Sequence, residues 1–185
     1  MDVSWNGPFS WPSFEHLNGL ESLPNQAGVY LWTVDYQGGY LVYSAGITKN
    51  PKQRFQAHTS AYRKGHYNIL DLDKAQSGIR EVIWRWTAPN KWTPEKRLEF
   101  TEKNIGAQID NLLAGFRVFL APLESPRLRA RLEASVILNL YDSKAPYRDI
   151  PDRGMHLEPR WKNEKTILVR NISDSPIWLP EEMFI

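Results

Sequence analysis

Residues 43–58, YSAGITKNPKQRFQAH, decide the fold, because they join a strand end, a glycine turn, a capped helix start and two cationic-capable side chains. Leu41, Val42 and Tyr43 read as the end of a buried strand, and Gly46 allows a turn that a side chain would crowd. Asn50-Pro51 pairs an N-cap residue with proline at the first helical position. The helix it opens places Arg54 and His58 one turn apart on one face, beside Phe55 and Tyr62, where the helix meets the body of the protein. A guanidinium and an imidazole held there point to an anion site.

Working outward, Val29 to Val34 and Tyr40 to Ala45 are rich in aromatic and β-branched residues and read as a hairpin turning through Asp35 to Gly39. Before it, Met1 to Gln26 carries Leu17, Leu20 and Leu23 at helical spacing, which predicts a loop and a short helix over one sheet face. After it, the Pro51 helix ends near Gly65, a C′ glycine. Ile79 to Trp86 reads as a strand, and Thr93-Pro94 opens a helix from Glu95 to Ala114 whose Leu98, Ile105, Ile109 and Leu112 form one stripe. Phe116 to Ala121 is the preferred third strand, since it runs directly into the next helix, with Ile79 to Trp86 beside it as a fourth. Thr166 to Arg170 forms a further strand. The apolar tail, Ile177 to Ile185, docks on this domain or on a second subunit.

Ser125-Pro126 caps the helix running from Arg127 to about Tyr141. At about 100° per residue, Leu128, Leu132, Val136, Ile137 and Leu140 make its apolar face, and Glu133 falls inside that face. A carboxylate turned toward a core needs a metal, a cation or hydrogen-bond donors to meet it. A structural ion pair with Arg54 is one way to satisfy it and a bound metal is the other.

The 185 residues suffice for one domain with a proper core. No apolar run approaches the ~20 residues that span a bilayer, and the N-terminus lacks the pattern of a secretory signal, so a cytoplasmic protein is expected. Zero cysteines exclude disulfides, thiol chemistry and cysteine zinc sites, leaving oxygen or imidazole ligands for any metal. The net charge of +2 is too small to argue nucleic-acid binding by itself. Clustering says more: Lys49, Lys52, Arg54, Arg63 and Lys64 lie in or beside the first motif helix, while Arg127, Arg129 and Arg131 open the Glu133 helix. The two basic helix starts are expected to line a phosphate track. His66 and His156 carry no ligand spacing, and the eight tryptophans, including Trp84, Trp86 and Trp92, read mainly as core mass.

Leu23-Pro24, Gly28-Val29-Tyr30, Gly38-Gly39, Tyr43 to Gly46, Arg54, His58 and the later Glu133 form an ordered set that resembles the GIY-YIG nuclease family. The resemblance covers roughly Leu23 to His58 and Gly115 to Tyr147. It implies an α+β fold, with a small, mainly antiparallel sheet of three or four strands flanked by helices. The core would span about residues 23–65 and 115–148 of a single domain, with an insertion at 66–114 and a C-terminal extension at 149–185. It also implies hydrolysis of DNA phosphodiester bonds with one divalent cation, Mg²⁺ or Mn²⁺, held by Glu133. Arg54 would grip the scissile phosphate, Tyr30 or Tyr43 would take or order the water's proton, and His58 is the alternative base. Cutting both strands from one small site would favour a homodimer. Two departures stand against the pattern. Tyr43-Ser44-Ala45-Gly46 holds one residue more than the usual Tyr-x-Gly, so either a bulge re-aims Tyr43 or Ser44 takes its place. The asparagine usually found about a dozen residues beyond the glutamate is replaced by the neighbourhood of Ala145 to Arg148. They motivate a second reading, a non-catalytic nucleic-acid-binding or protein-interaction module. A third is an unrelated α/β domain in which Glu133 and Arg54 merely pair.

Overall fold

The computed structural model describes residues 1–185, with every side chain except that of Pro89. Its elements follow in the order β1 (Asp2–Ser4), β2 (Asn6–Ser10), α1 (Glu15–Asn18), β3 (Gly28–Tyr36), β4 (Gly39–Thr48), α2 (Pro51–Arg63), β5 (Ile69–Leu70) and α3 (Leu72–Gln76). They continue through β6 (Val82–Trp84), α4 (Pro94–Glu102), α5 (Ile105–Gly115), β7 (Arg117–Pro122), α6 (Pro126–Asp142), β8 (Leu168–Ile172) and β9 (Glu182–Phe184). The class is α+β, with mainly antiparallel sheets flanked by helices.

The central sheet has the strand order β2-β7-β3-β4 and is antiparallel throughout. Its hairpin closes through Gln37 and Gly38, both at positive φ, the geometry whose twist matches the flanking strands. Alternation sends Tyr30, Trp32, Val34 and Leu41 to one face and Val29, Leu31 and Val42 to the other. The first face packs against Phe55 and Tyr62 of α2 and Ile105, Ile109 and Leu112 of α5. The second packs against Leu132, Val136, Ile137 and Leu140 of α6. Full burial of each such side chain contributes about 1.5–3 kcal/mol, which holds the two helix layers against the sheet. The predicted caps are made: Asn50 Oδ1 accepts from the Gln53 amide at 3.0 Å, and Ser125 Oγ from the Leu128 amide at 3.3 Å.

The third strand expected over Phe116 to Ala121 is β7, one residue further on, but the fourth is β2, from the segment expected to be only loop and helix. Asn-Gly-Pro-Phe-Ser shows no strand alternation; its place at the sheet edge tolerates the proline, whose missing N–H no neighbour requires. The Ile79 to Trp86 stretch yields only β6, which pairs with β5 in a separate small sheet. The single helix expected over Glu95 to Ala114 is broken. Asn104 takes a left-handed conformation between α4 and α5, which leaves Leu98 exposed while Ile105, Ile109 and Leu112 stay buried.

The apolar tail docks on its own domain. A three-stranded sheet, β1-β8-β9, buries Val3, Val169 and Met183 against the α6 side of the molecule. The arginines that open α6 tie this segment down, contrary to the expected phosphate track. Arg127 pairs with Glu164 at 2.6 Å and lies over Trp161, and Arg131 donates to the carbonyls of Lys165 and Ile185. Arg129 is buried and donates to the Leu123 carbonyl. Among the described residues, no helix is long and apolar enough to cross a membrane.

Candidate functional site

Tyr30, in inner strand β3, stands directly opposite Gly46 of edge strand β4. Its ring and hydroxyl occupy the space that a Cβ at position 46 would need, so the glycine is a steric requirement of the site. From α2, one turn apart as expected, come Arg54 and His58. The Arg54 Nε–H donates to the Tyr30 hydroxyl at 3.3 Å, and His58 Nε2 lies 2.8 Å from the same oxygen. The other imidazole nitrogen, Nδ1, lies 2.9 Å from the hydroxyl of Tyr67. Trp32 stands perpendicular to the imidazole, 4.6 Å between centroids, and fixes its plane.

A neutral imidazole has one donor and one acceptor, so two tautomers satisfy this chain. In one of them the Tyr67 hydroxyl donates to Nδ1, and Nε2–H donates to Tyr30. Two donors, from His58 and Arg54, then converge on the Tyr30 oxygen and favour the withdrawal of its proton.

Burial, and secondarily the charge of Arg54, lowers the His58 pKa to about 3, so the ring is neutral across the physiological range. With both nitrogens engaged and only 4 % of its surface exposed, His58 is not the free base that the sequence offered as an alternative. It positions Tyr30. Burial pushes the Tyr30 phenol up to about 12, against the pull of Arg54, and keeps it protonated at neutral pH.

Glu133, on α6 at the other side of the sheet, is coupled to this cluster through its charge alone. Burial raises its pKa to about 7, with Arg54 opposing that rise and Glu158 adding to it. The same carboxylate acts on Tyr30 and on Arg54. Although burial opposes the Arg54 charge, Tyr30, Tyr67 and Glu133 together hold its pKa above the ordinary value. The guanidinium therefore lies within electrostatic reach of a phenol, an imidazole and a carboxylate contributed by three different elements. No direct ion pair joins Glu133 to Arg54 among the described residues, so the simple structural pairing does not account for the half-buried carboxylate.

Tyr43 lies outside the cluster. The β3–β4 register shifts between Trp32 and Thr33, whose partners are Ser44 and Val42, so Tyr43 is the extra residue of a bulge. Its ring stacks on Phe116 at 5.5 Å under the guanidinium of Arg80, and Ser44 turns toward Met155. Neither supplies the second phenol. Tyr67 does, from just beyond α2, and only tertiary contact brings it there; no motif spacing in the sequence marks it.

Lys49 and Arg54 line a cleft of about 400 Å³ with Ile47, Thr48, Asn50, Gln53 and Ala57, which gives the guanidinium an open approach. Lys52 is exposed on α2, Arg63 pairs with Asp110 at 3.2 Å, and Lys64 lines a neighbouring cleft with His66. His156 is exposed beside Glu158. Asn139 donates to the Ser135 carbonyl within α6. No group of three or more histidines and carboxylates is assembled for a metal among the described residues. A cation bound at Glu133 would have one carboxylate ligand and would keep most of its positions for water and phosphate. Comparisons with protein-family models, curated proteins and solved structures give no match.

Proposed function

We propose that the chain is a divalent-metal-dependent DNA endonuclease of the GIY-YIG type. The observation that carries this reading is Arg54, which lines an open cleft, donates to Tyr30 beside His58 and lies within electrostatic reach of Glu133. Arg54 spends its Nε–H on Tyr30 and has its terminal N–H groups left to grip a phosphate. Glu133 would hold Mg²⁺ or Mn²⁺, and the ion would neutralise charge growing on the phosphate oxygens. Tyr30, a neutral phenol with Arg54 and His58 at its oxygen, orders the attacking water, whose acidity the ion would raise so that its proton leaves to solvent. Tyr67, at the far nitrogen, holds the His58 ring beside that oxygen.

The test is cleavage of supercoiled, linear and branched DNA with Mg²⁺ or Mn²⁺. Arg54→Ala is expected to lower the rate by about 10²- to 10³-fold, as when one preorganised charge-stabilising donor is lost. Equal cutting by wild type and variant would assign the activity to a contaminant. A second expectation concerns pH. A Glu133 pKa of about 7 means that most molecules must lose a proton to bind a cation at pH 6, and few at pH 8. The cation concentration for half-maximal rate should fall about tenfold between those two values. A flat requirement would remove Glu133 as the ligand.

The inward turn of Tyr43 and the lone carboxylate favour, as the second reading, a nucleic-acid-binding module on the same fold. It predicts retention of DNA without cutting under any of these conditions.

A further inference from the structure

We propose that the segment between α2 and α5 forms a second nucleic-acid subsite, in which Trp86 stacks on an unpaired base while Arg85 and Lys91 hold the strand's phosphates. The inference rests on the nuclease reading and names the substrate feature that reading leaves open. Three tryptophans of this segment have different fates. Trp84 is buried, and Trp92 packs against Trp84 and Phe100, so both are core. Trp86 alone of the three keeps 59 % of its surface exposed, and its ring has no aromatic or cationic partner among the described residues.

Around it lies a cleft of about 370 Å³ lined by Asn68, Arg85, Trp86, Thr87, Ala88 and Lys91. Among the described residues, no acidic side chain lines it. Arg85 and Lys91 are exposed, and neither forms an ion pair among the described residues, so their charge is available to an anion. A flat ring flanked by uncompensated cations matches the two requirements of single-strand binding, a base-stacking surface and a phosphate track. Duplex DNA offers phosphates but hides its base faces, so the exposed indole selects for an unpaired strand.

The cleft is built rather than incidental, and it adjoins the proposed site. Asn68 Oδ1 accepts from the Trp86 amide at 3.0 Å, and Asn68 Nδ2 donates to Asp152 at 3.3 Å, itself paired with Arg80 at 2.8 Å. The residue before Asn68 is Tyr67, whose hydroxyl meets His58. On the other side of the seam where the Thr87 amide donates to the Gly65 carbonyl, Lys64, His66 and Arg97 line a further cleft of about 410 Å³, also without a carboxylate. A strand leaving the catalytic edge thus meets basic side chains and one exposed indole.

The experiment is fluorescence anisotropy of a labelled oligothymidylate and a labelled blunt duplex, using the full chain. Trp86→Ala is expected to weaken oligothymidylate binding about tenfold with the duplex unaffected, and Trp86→Phe to restore most of it. Arg85→Ala combined with Lys91→Ala should weaken the oligothymidylate and flatten its salt dependence. Circular dichroism of each variant verifies the fold, which an exposed indole does not support. Equal oligothymidylate affinity for wild type and Trp86→Ala overturns the subsite, even if wild type cuts DNA. A Trp86-dependent affinity in a protein that cuts nothing upholds the subsite and sinks the nuclease reading instead.

Discussion

Glu133→Gln should abolish metal-dependent DNA cleavage, by about 10³-fold or more, while leaving DNA binding intact. The magnitude corresponds to the several kcal/mol of transition-state charge stabilisation that a resident ion supplies. Glutamine matches the size of the side chain and keeps its place on α6 next to Leu132, but lacks the charge that attracts a cation. The stability readout has the opposite sign. Glu133 binds its proton more tightly in the folded chain, at about 7, than at the ordinary value of 4.5. Its contribution is therefore present below the ordinary value and lost as pH rises through 7. At pH 8 the wild type carries a half-buried carboxylate that the variant does not, so the variant should melt at the same temperature or higher. Below pH 4.5 that advantage should vanish. Thermal melts at pH 4 and pH 8, beside cleavage assays, make the comparison; a variant that loses stability together with activity would assign Glu133 to the scaffold.

The second large effect is expected at a residue with no functional group. Gly46→Ala places a methyl group where the Tyr30 hydroxyl and ring already lie. Either β4 must move away from β3, or the phenol must swing out and lose Arg54 and His58. Overpacking of this kind costs about 1–3 kcal/mol. Cleavage should fall about 10²-fold, as expected when a catalytic group is misplaced by about 1 Å. Gly38→Ala is the comparison. Its added methyl meets nothing, but the turn's positive φ strains it by about 1 kcal/mol. That variant should lose stability and keep its rate. If Gly46→Ala behaves like Gly38→Ala, Tyr30 is filler and not part of a reacting cluster.

What could be read in the sequence was what local chemistry dictates. The hairpin follows from β-branched alternation around Gln37-Gly38, and α2 and α6 from Asn50-Pro51 and Ser125-Pro126; Glu133 stood out because a carboxylate interrupted an apolar stripe. Arg54 and His58 were legible from helical spacing alone. What was hidden depends on contacts distant in sequence. β2 has strand geometry only because β7 offers it an edge, and the arginines of α6 look like a basic patch until Glu164 and the backbone oxygens of Lys165 and Ile185 meet them. The break at Asn104 was hidden by a stripe whose first member, Leu98, is never buried. Tyr67 carries no signature because its role depends on where the imidazole of His58 happens to end.

The bulge at Tyr43 also limits what can be transplanted. Grafting the hairpin, α2 and α6 onto another scaffold would deliver the arginine, the imidazole and the carboxylate, yet leave the imidazole's far nitrogen without its hydroxyl. The smallest portable unit must extend past Tyr67, and so must carry the turn that follows α2 as well as the helix itself.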